Sequence, residues 1–388
     1  MTTDDRFNLA IIGAGIHGAG VAQAAAARGL RVVVLEQSAV AAGTSGRSSK
    51  LIHGGLRYLE TGQWRLVRES LRERELLLRL APGLVRRRYF HLPVYRDTRR
   101  RPARIFRGLL FYSLLAGFRP HTGFTLVPRR HWPGLDGLRR QDLRFVFRYT
   151  DAQTDDVALT EAVLRSAMSL GAQFRCPAEF NGAERMEDGY VVRYRSADRV
   201  GVIKAAAVVN AAGPWLGEVA RRFIPSLSGL EIELVQGSHL TLAGSLERGC
   251  YYLEAPDDRL VFAMPWRGET LLGTTERPHR GDPRLAHISP DERAYLVDLW
   301  RRYFPSRPAT ITGAFTGLRV LKSAAGAPFL RSRAVGLPVD DESRPRAVTI
   351  LGGKLSGYRA TADKVLRVLA GVLPVAQPRT DTAILPLT

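Results

Sequence analysis

Residues 9–18 read LAIIGAGIHG, and the apolar run Val32, Val33, Val34 and Leu35 that follows closes on an acid, Glu36. An apolar strand running into Gly-x-Gly-x-x-Gly, then a helix, then a second strand ending in an acid is the adenine-dinucleotide fingerprint of a Rossmann βαβ unit. Each glycine has its own task. Gly13 permits the tight strand-to-helix turn, Gly15 lets a pyrophosphate reach backbone amides at the helix N-terminus, and Gly18 lets the helix, expected over 19–28, lie against the strand. Glu36 is placed to accept hydrogen bonds from ribose hydroxyls. An acid there disfavours a 2′-phosphate, and with it NADP.

The 388 residues suffice for two domains with cores of their own. Lys and Arg number 57 against 37 Asp and Glu, a net charge of +20 carried almost wholly by arginine. Such an excess suits nucleic acid, an anionic membrane surface or substrate, or a plain preference for arginine on solvated faces. No nucleic-acid-binding module accompanies it, so no nucleic-acid partner is expected. Cys176 and Cys250 lack metal-ligand or CxxC spacing, which argues against a disulfide framework and a metal site. The first strand begins almost at once, leaving no room for a signal peptide, and a cytoplasmic location is expected. The longest apolar run, at 108–118, falls short of the roughly 20 residues of a membrane span. Flanked by Arg104, Arg107 and Arg119, it either packs in a core or lies in an interface, which leaves open a peripheral contact with the inner membrane face.

A small, polar loop is expected over 41–50, a helix with alternating Glu and Arg over 64–80, and a helix over 155–170 with Asp155 or Asp156 at its N-cap. The stretches 190–194 and 202–209 read as strands of an antiparallel excursion. The second of them runs into Asn210, Ala211, Ala212, Gly213, Pro214 and Trp215. A buried strand ending in small residues lets backbone approach a dinucleotide from its other side. That arrangement suits FAD better than NAD. Strand-like runs within 234–275, including 260–264 and 270–273, suggest an antiparallel sheet facing a substrate. The chain returns with a strand over 347–354 that ends in Gly352, Gly353 and Lys354, then a helix over 358–369, again a site for an anionic group. The expected fold class is α/β: a discontinuous Rossmann-type FAD-binding domain (1–88, 150–233 and 320–388) with a second α+β antiparallel-sheet substrate domain (89–149 and 234–319).

The run SSKLIHGGLRYLE at 48–60 resembles the FAD-dependent glycerol-3-phosphate dehydrogenase family of the D-amino-acid-oxidase-like superfamily. Thr44 and Ser45, the strand end at 210–215, Gly237-Ser238-His239, Pro265-Trp266, Gly273-Thr274-Thr275 and the run at 352–356 carry the same resemblance across nearly the whole chain. It implies noncovalent FAD, a small anionic substrate, and quinone or oxygen as electron acceptor. By the resemblance Thr44, Ser45, Ser49, Lys50, Leu51, Ala212, Gly213, Trp215, Gly353, Lys354, Leu355 and Ser356 contact FAD. It makes Arg57, Tyr58, Arg319, Arg331 and Lys354 the candidates for holding the anion, since arginine forks suit phosphate oxygens. Arg319 would sit near the reacting oxygen, and His239 would accept the hydroxyl proton. His53 is expected to support the flavin loop.

The implied reaction is oxidation of sn-glycerol 3-phosphate, or a similar small anionic alcohol, to the ketone. The alternatives are an oxidase of another small anionic amine or hydroxy acid, and a flavoprotein without turnover. The sequence departs from the family at Arg47, Gln236, Val320 and Ser356-Gly357, and it stops soon after the last helix where the family usually continues into a helical domain.

Overall fold

A computed structural model describes residues 5–117, 121–197, 199–323, 331 and 333–387. Two sheets organise them. In the first, strand Arg6–Ile12 lies between Val32–Leu35 and Arg199–Asn210, parallel to both, with Leu9 opposite Val32 on one side and Ala207 on the other. Gln173–Arg175 extends it beyond Val32–Leu35, and Ala347–Thr349 adds a further parallel strand against Arg199–Asn210. The excursion Glu179–Met186 and Gly189–Ser196 pairs antiparallel with itself and with the first half of Arg199–Asn210. One long strand therefore serves both the hairpins and the parallel core.

Helix Ile16–Ala27 is buried along almost its whole length, which its Ala- and Gly-rich sequence allows. It packs against helices Asp156–Ser169 and Tyr358–Val368. A Cβ on Gly20 would stand 2.5 Å from the Tyr358 ring. The helix starts earlier than the expected residue 19 because the turn is already complete at Gly15, where Ser45 Oγ accepts the Ile16 N–H at 2.9 Å. Helix Trp64–Leu80 matches its expectation, and Asp155 caps Asp156–Ser169 by accepting the Ala158 N–H.

The second sheet has ten strands, mostly antiparallel. Its longest members, Val85–Tyr95 with Leu143–Thr154 and Ile232–Leu242 with Ile311–Lys322, run in register over nearly their whole lengths. Helix Pro290–Tyr303 contributes to a core of Leu296, Leu299, Trp300, Tyr303 and Phe304 with Tyr251, Leu253 and Leu272. All four expected domain boundaries fall inside those four long strands, and Leu51–Ile52, within 1–88, joins this sheet through Leu143–Thr154. The second sheet is thus continuous through all four of these points.

Helix Pro102–Leu115 divides the expectation for 108–118, whose residue 118 lies outside the described residues. Ile105, Leu109 and Tyr112 are buried, whereas Phe106, Leu110, Phe111 and Leu114 are 41–53% exposed. Among the described residues no helix is long and apolar enough to cross a membrane.

Candidate active site

The two layers enclose a cavity of about 870 Å³, lined from the fingerprint through the 41–58 loop to Lys354. Its floor follows from absent side chains. Gly13 has φ of 101°, and a Cβ on Gly18 would stand 1.9 Å from Gly13 O, so the helix can reach this close only with glycine there. Glu36 lines the cavity, accepting the Ala14 N–H at 2.8 Å and the Ser38 N–H at 2.9 Å. A side-chain-free turn at a helix N-terminus beside a buried acid fits the pyrophosphate and ribose of a dinucleotide.

Thr44, Ser45, Ser49, Leu51, Ala212, Gly213, Trp215, Gly353, Lys354, Leu355 and Ser356 all line the cavity. Lys50 does not. Its backbone is left-handed, with φ of 58°. Its ammonium turns away to Asp156 Oδ1 and Gly46 O, both at 2.7 Å, with the Phe315 ring 5.0 Å away. Ser48 Oγ and N–H bind the other oxygen of Asp156. The Lys50 side chain thus fixes the loop from behind, on the side away from the cavity.

Cations gather at another part of the cavity. Lys354 Nζ lies 4.6 Å over the Tyr58 ring and donates to Ser70 Oγ at 3.0 Å and Gly54 O at 3.3 Å. The Gly54 turn is itself pinned, since Tyr112 OH accepts its N–H at 2.8 Å and donates to Asp151, which pairs with buried Arg74 at 2.6 Å. Arg319 Nη1 donates to Glu276 Oε1 at 2.6 Å, and Arg333 Nη2 reaches the same oxygen at 3.0 Å. Burial, Arg333 and Arg57 push the Arg319 guanidinium down to about 10, against the pull of Glu276. Burial raises the Tyr58 hydroxyl, but Lys354, Arg333, Arg57 and Arg319 bring it below its ordinary value.

Arg331 is not in this group. It pairs with Glu233, outside the residues that line the cavity, whereas Arg333, two positions on, lines it. Both stand in one Arg-Ser-Arg run, which the sequence offers no way to resolve. Glu276 was also missed, although it directly follows the Gly273-Thr274-Thr275 motif.

His239 lies on Ile232–Leu242 with its ring stacked on Phe315 at 4.8 Å. A Cβ on Gly273 would stand 2.2 Å from His239 Cδ2. Nε2 meets Ser49 Oγ at 2.9 Å, and Nδ1 is buried with no hydrogen-bond partner. Burial, helped by Arg319 and Lys50, lowers the imidazole to about 3, so it is neutral at working pH. Behind it, Glu292 accepts from Ser238, Thr275 and Gln236, so the unusual Gln236 is committed to a buried polar network. His53 lines the cavity edge-on to Phe262, and burial with Lys354, Arg57 and Arg74 holds it well below the ordinary histidine range.

Residues 8–357 match the model of a family described as FAD dependent oxidoreductase. The chain is 36% identical over 379 residues to a glycerol-3-phosphate dehydrogenase of Pseudomonas aeruginosa, covering 94% of this chain and 71% of that protein. It is 33% identical to a D-erythritol 1-phosphate dehydrogenase of Brucella abortus, covering 96% of this chain and 76% of that one. The solved glycerol-3-phosphate dehydrogenase of Bacillus halodurans, complexed with FAD, superposes with a TM-score of 0.77 at 25% identity, over 99% of this chain and 68% of that one.

The Lys50 assignment is testable. Lys50→Met leaves Asp156 buried without its cation and is expected to destabilise the FAD-free protein by about 3–5 kcal/mol, measured from urea unfolding. An unchanged midpoint with FAD affinity lost would instead make Lys50 a direct cofactor contact.

Proposed function

The chain belongs to the FAD dependent oxidoreductase family, and from that premise we propose that it oxidises the secondary alcohol of sn-glycerol 3-phosphate, or of a closely similar phosphorylated polyol, to the ketone. The observation that carries this reading is the cation group of Arg57, Arg319, Arg333 and Lys354 lining the same cavity as the dinucleotide fingerprint, Arg333 buried and the other three partly buried. Cations withdrawn from water without equal counter-charge are costly, and a phosphate dianion compensates them.

FAD, when bound, supplies the hydride acceptor at its N5. The rest is done by side chains. Arginine forks and Lys354 hold the phosphate and so fix the carbinol carbon. The hydroxyl proton passes to His239 Nε2 by way of Ser49 Oγ, which lies 2.9 Å from it. Burial, helped by Arg319 and Lys50, makes His239 a weak base. A bound dianion offsets those cations and raises its basicity where the proton must go. Arg319 stabilises the negative charge that develops on the oxygen.

Anaerobic titration of the visible flavin band tests this. Bleaching by sn-glycerol 3-phosphate is expected; bleaching only by a carboxylate amine or hydroxy acid would replace the reading, and reduction by dithionite alone would mean a flavoprotein without turnover. Recolouring in air with peroxide, or only with added quinone, then names the acceptor.

The half-exposed apolar face of Pro102–Leu115, beside Arg104 and Arg107, supports a peripheral contact with an anionic membrane surface. Cosedimentation with phosphatidylserine vesicles is expected to fall steeply on adding salt and on Leu110→Ser with Leu114→Ser; binding indifferent to both would exclude this face.

A further inference from the structure

We propose that Glu276 is a positioning residue for the reaction read above, one that aims the Arg319 and Arg333 guanidiniums and sets the net charge that meets the substrate. The proposal rests on that reading. Two guanidiniums share one carboxylate oxygen, Glu276 Oε1, at 2.6 and 3.0 Å. Without that acid, two buried cations this close would repel and turn apart. Arg319 is held on a second side as well, donating through Nη2 to Thr275 O at 2.9 Å. Its space is kept open by Gly237, where a Cβ would stand 2.4 Å from the same nitrogen. Arg319 is therefore held by two hydrogen bonds, and Glu276 supplies the charged one. Glu276 Oε2 is buried with no hydrogen-bond partner, so no other donor among the described residues claims this carboxylate.

Charge balance gives the arrangement its meaning. Around Tyr58, the cations Arg57, Arg319, Arg333 and Lys354 are set against Glu276, and three positive charges remain in this part of the cavity when the acid is counted. A phosphate dianion takes two, and one is left to meet the negative charge that develops on the reacting oxygen. A carboxylate monoanion would leave two of these cations uncompensated, so the same count selects phosphorylated substrates over amino or hydroxy acids.

The test uses the FAD-loaded enzyme with Glu276→Gln and Glu276→Asp. In Glu276→Gln, kcat for sn-glycerol 3-phosphate is expected to fall about 10²-fold while KM stays within about threefold, because the added positive charge offsets the lost order. Glu276→Asp, which keeps the charge, is expected to recover most of kcat.

A second readout needs no turnover: the crystal structure of the Glu276→Gln protein, in which the Arg319 and Arg333 guanidiniums are expected to have moved apart from the positions they share around Glu276 Oε1. Unmoved guanidiniums with kcat unchanged would overturn the proposal, and so would an aspartate variant no better than glutamine. Should the unaltered enzyme bind inorganic phosphate yet oxidise no phosphorylated alcohol, the substrate reading falls, and the displacement of the two guanidiniums decides the positioning role by itself.

Discussion

A helix packed so closely that a Cβ on Gly18 would stand 1.9 Å from Gly13 O is the contact on which the rest of this structure depends. That approach sets the N-terminus of Ile16–Ala27 beside the turn, so that Gly13, Gly15, Ile16 and His17 line the cavity. The same closeness demands small residues along the helix, and those residues let Asp156–Ser169 and Tyr358–Val368 pack on it. Asp156, at the start of one packed helix, then reaches Lys50 and Ser48 and shapes the loop over the cofactor cavity. Cofactor binding and domain packing are thus one constraint, with the glycines at its centre.

What the sequence made legible is what local physics decides. The fingerprint, helix Trp64–Leu80 and the Asp155 cap needed nothing beyond neighbours in the chain. What it hid depends on distant partners. Lys50 sits in the strongest motif, yet its direction is set by Asp156, 106 positions away. Arg331 and Arg333 are the same residue type two positions apart, and only the Glu233 and Glu276 carboxylates distinguish them. Domain boundaries were placed where the pattern changed, but long strands continue through those points because backbone pairing is indifferent to which layer the side chains serve.

In one part of the cavity Arg57, Arg319, Arg333 and Lys354 gather around Tyr58 with Glu276 set against them. Three of these cations are held by the protein's own groups, Lys354 by Ser70 and Gly54, Arg319 by Thr275 and Glu276, and Arg333 by Glu276. The cost of assembling them is carried by the fold, so a dianion meets donors already ordered. His239, neutral and stacked on Phe315, and Ser49 stand within the same cavity, where a bound substrate changes the field they feel.

The most direct measurement is anomalous diffraction from crystals of the FAD-loaded protein soaked in tungstate, a heavy stand-in for phosphate. The account predicts a strong peak bounded by Arg57, Arg319, Arg333 and Lys354, beside the flavin. A cavity with no peak there, or one whose only anion sits at Arg331, would contradict it.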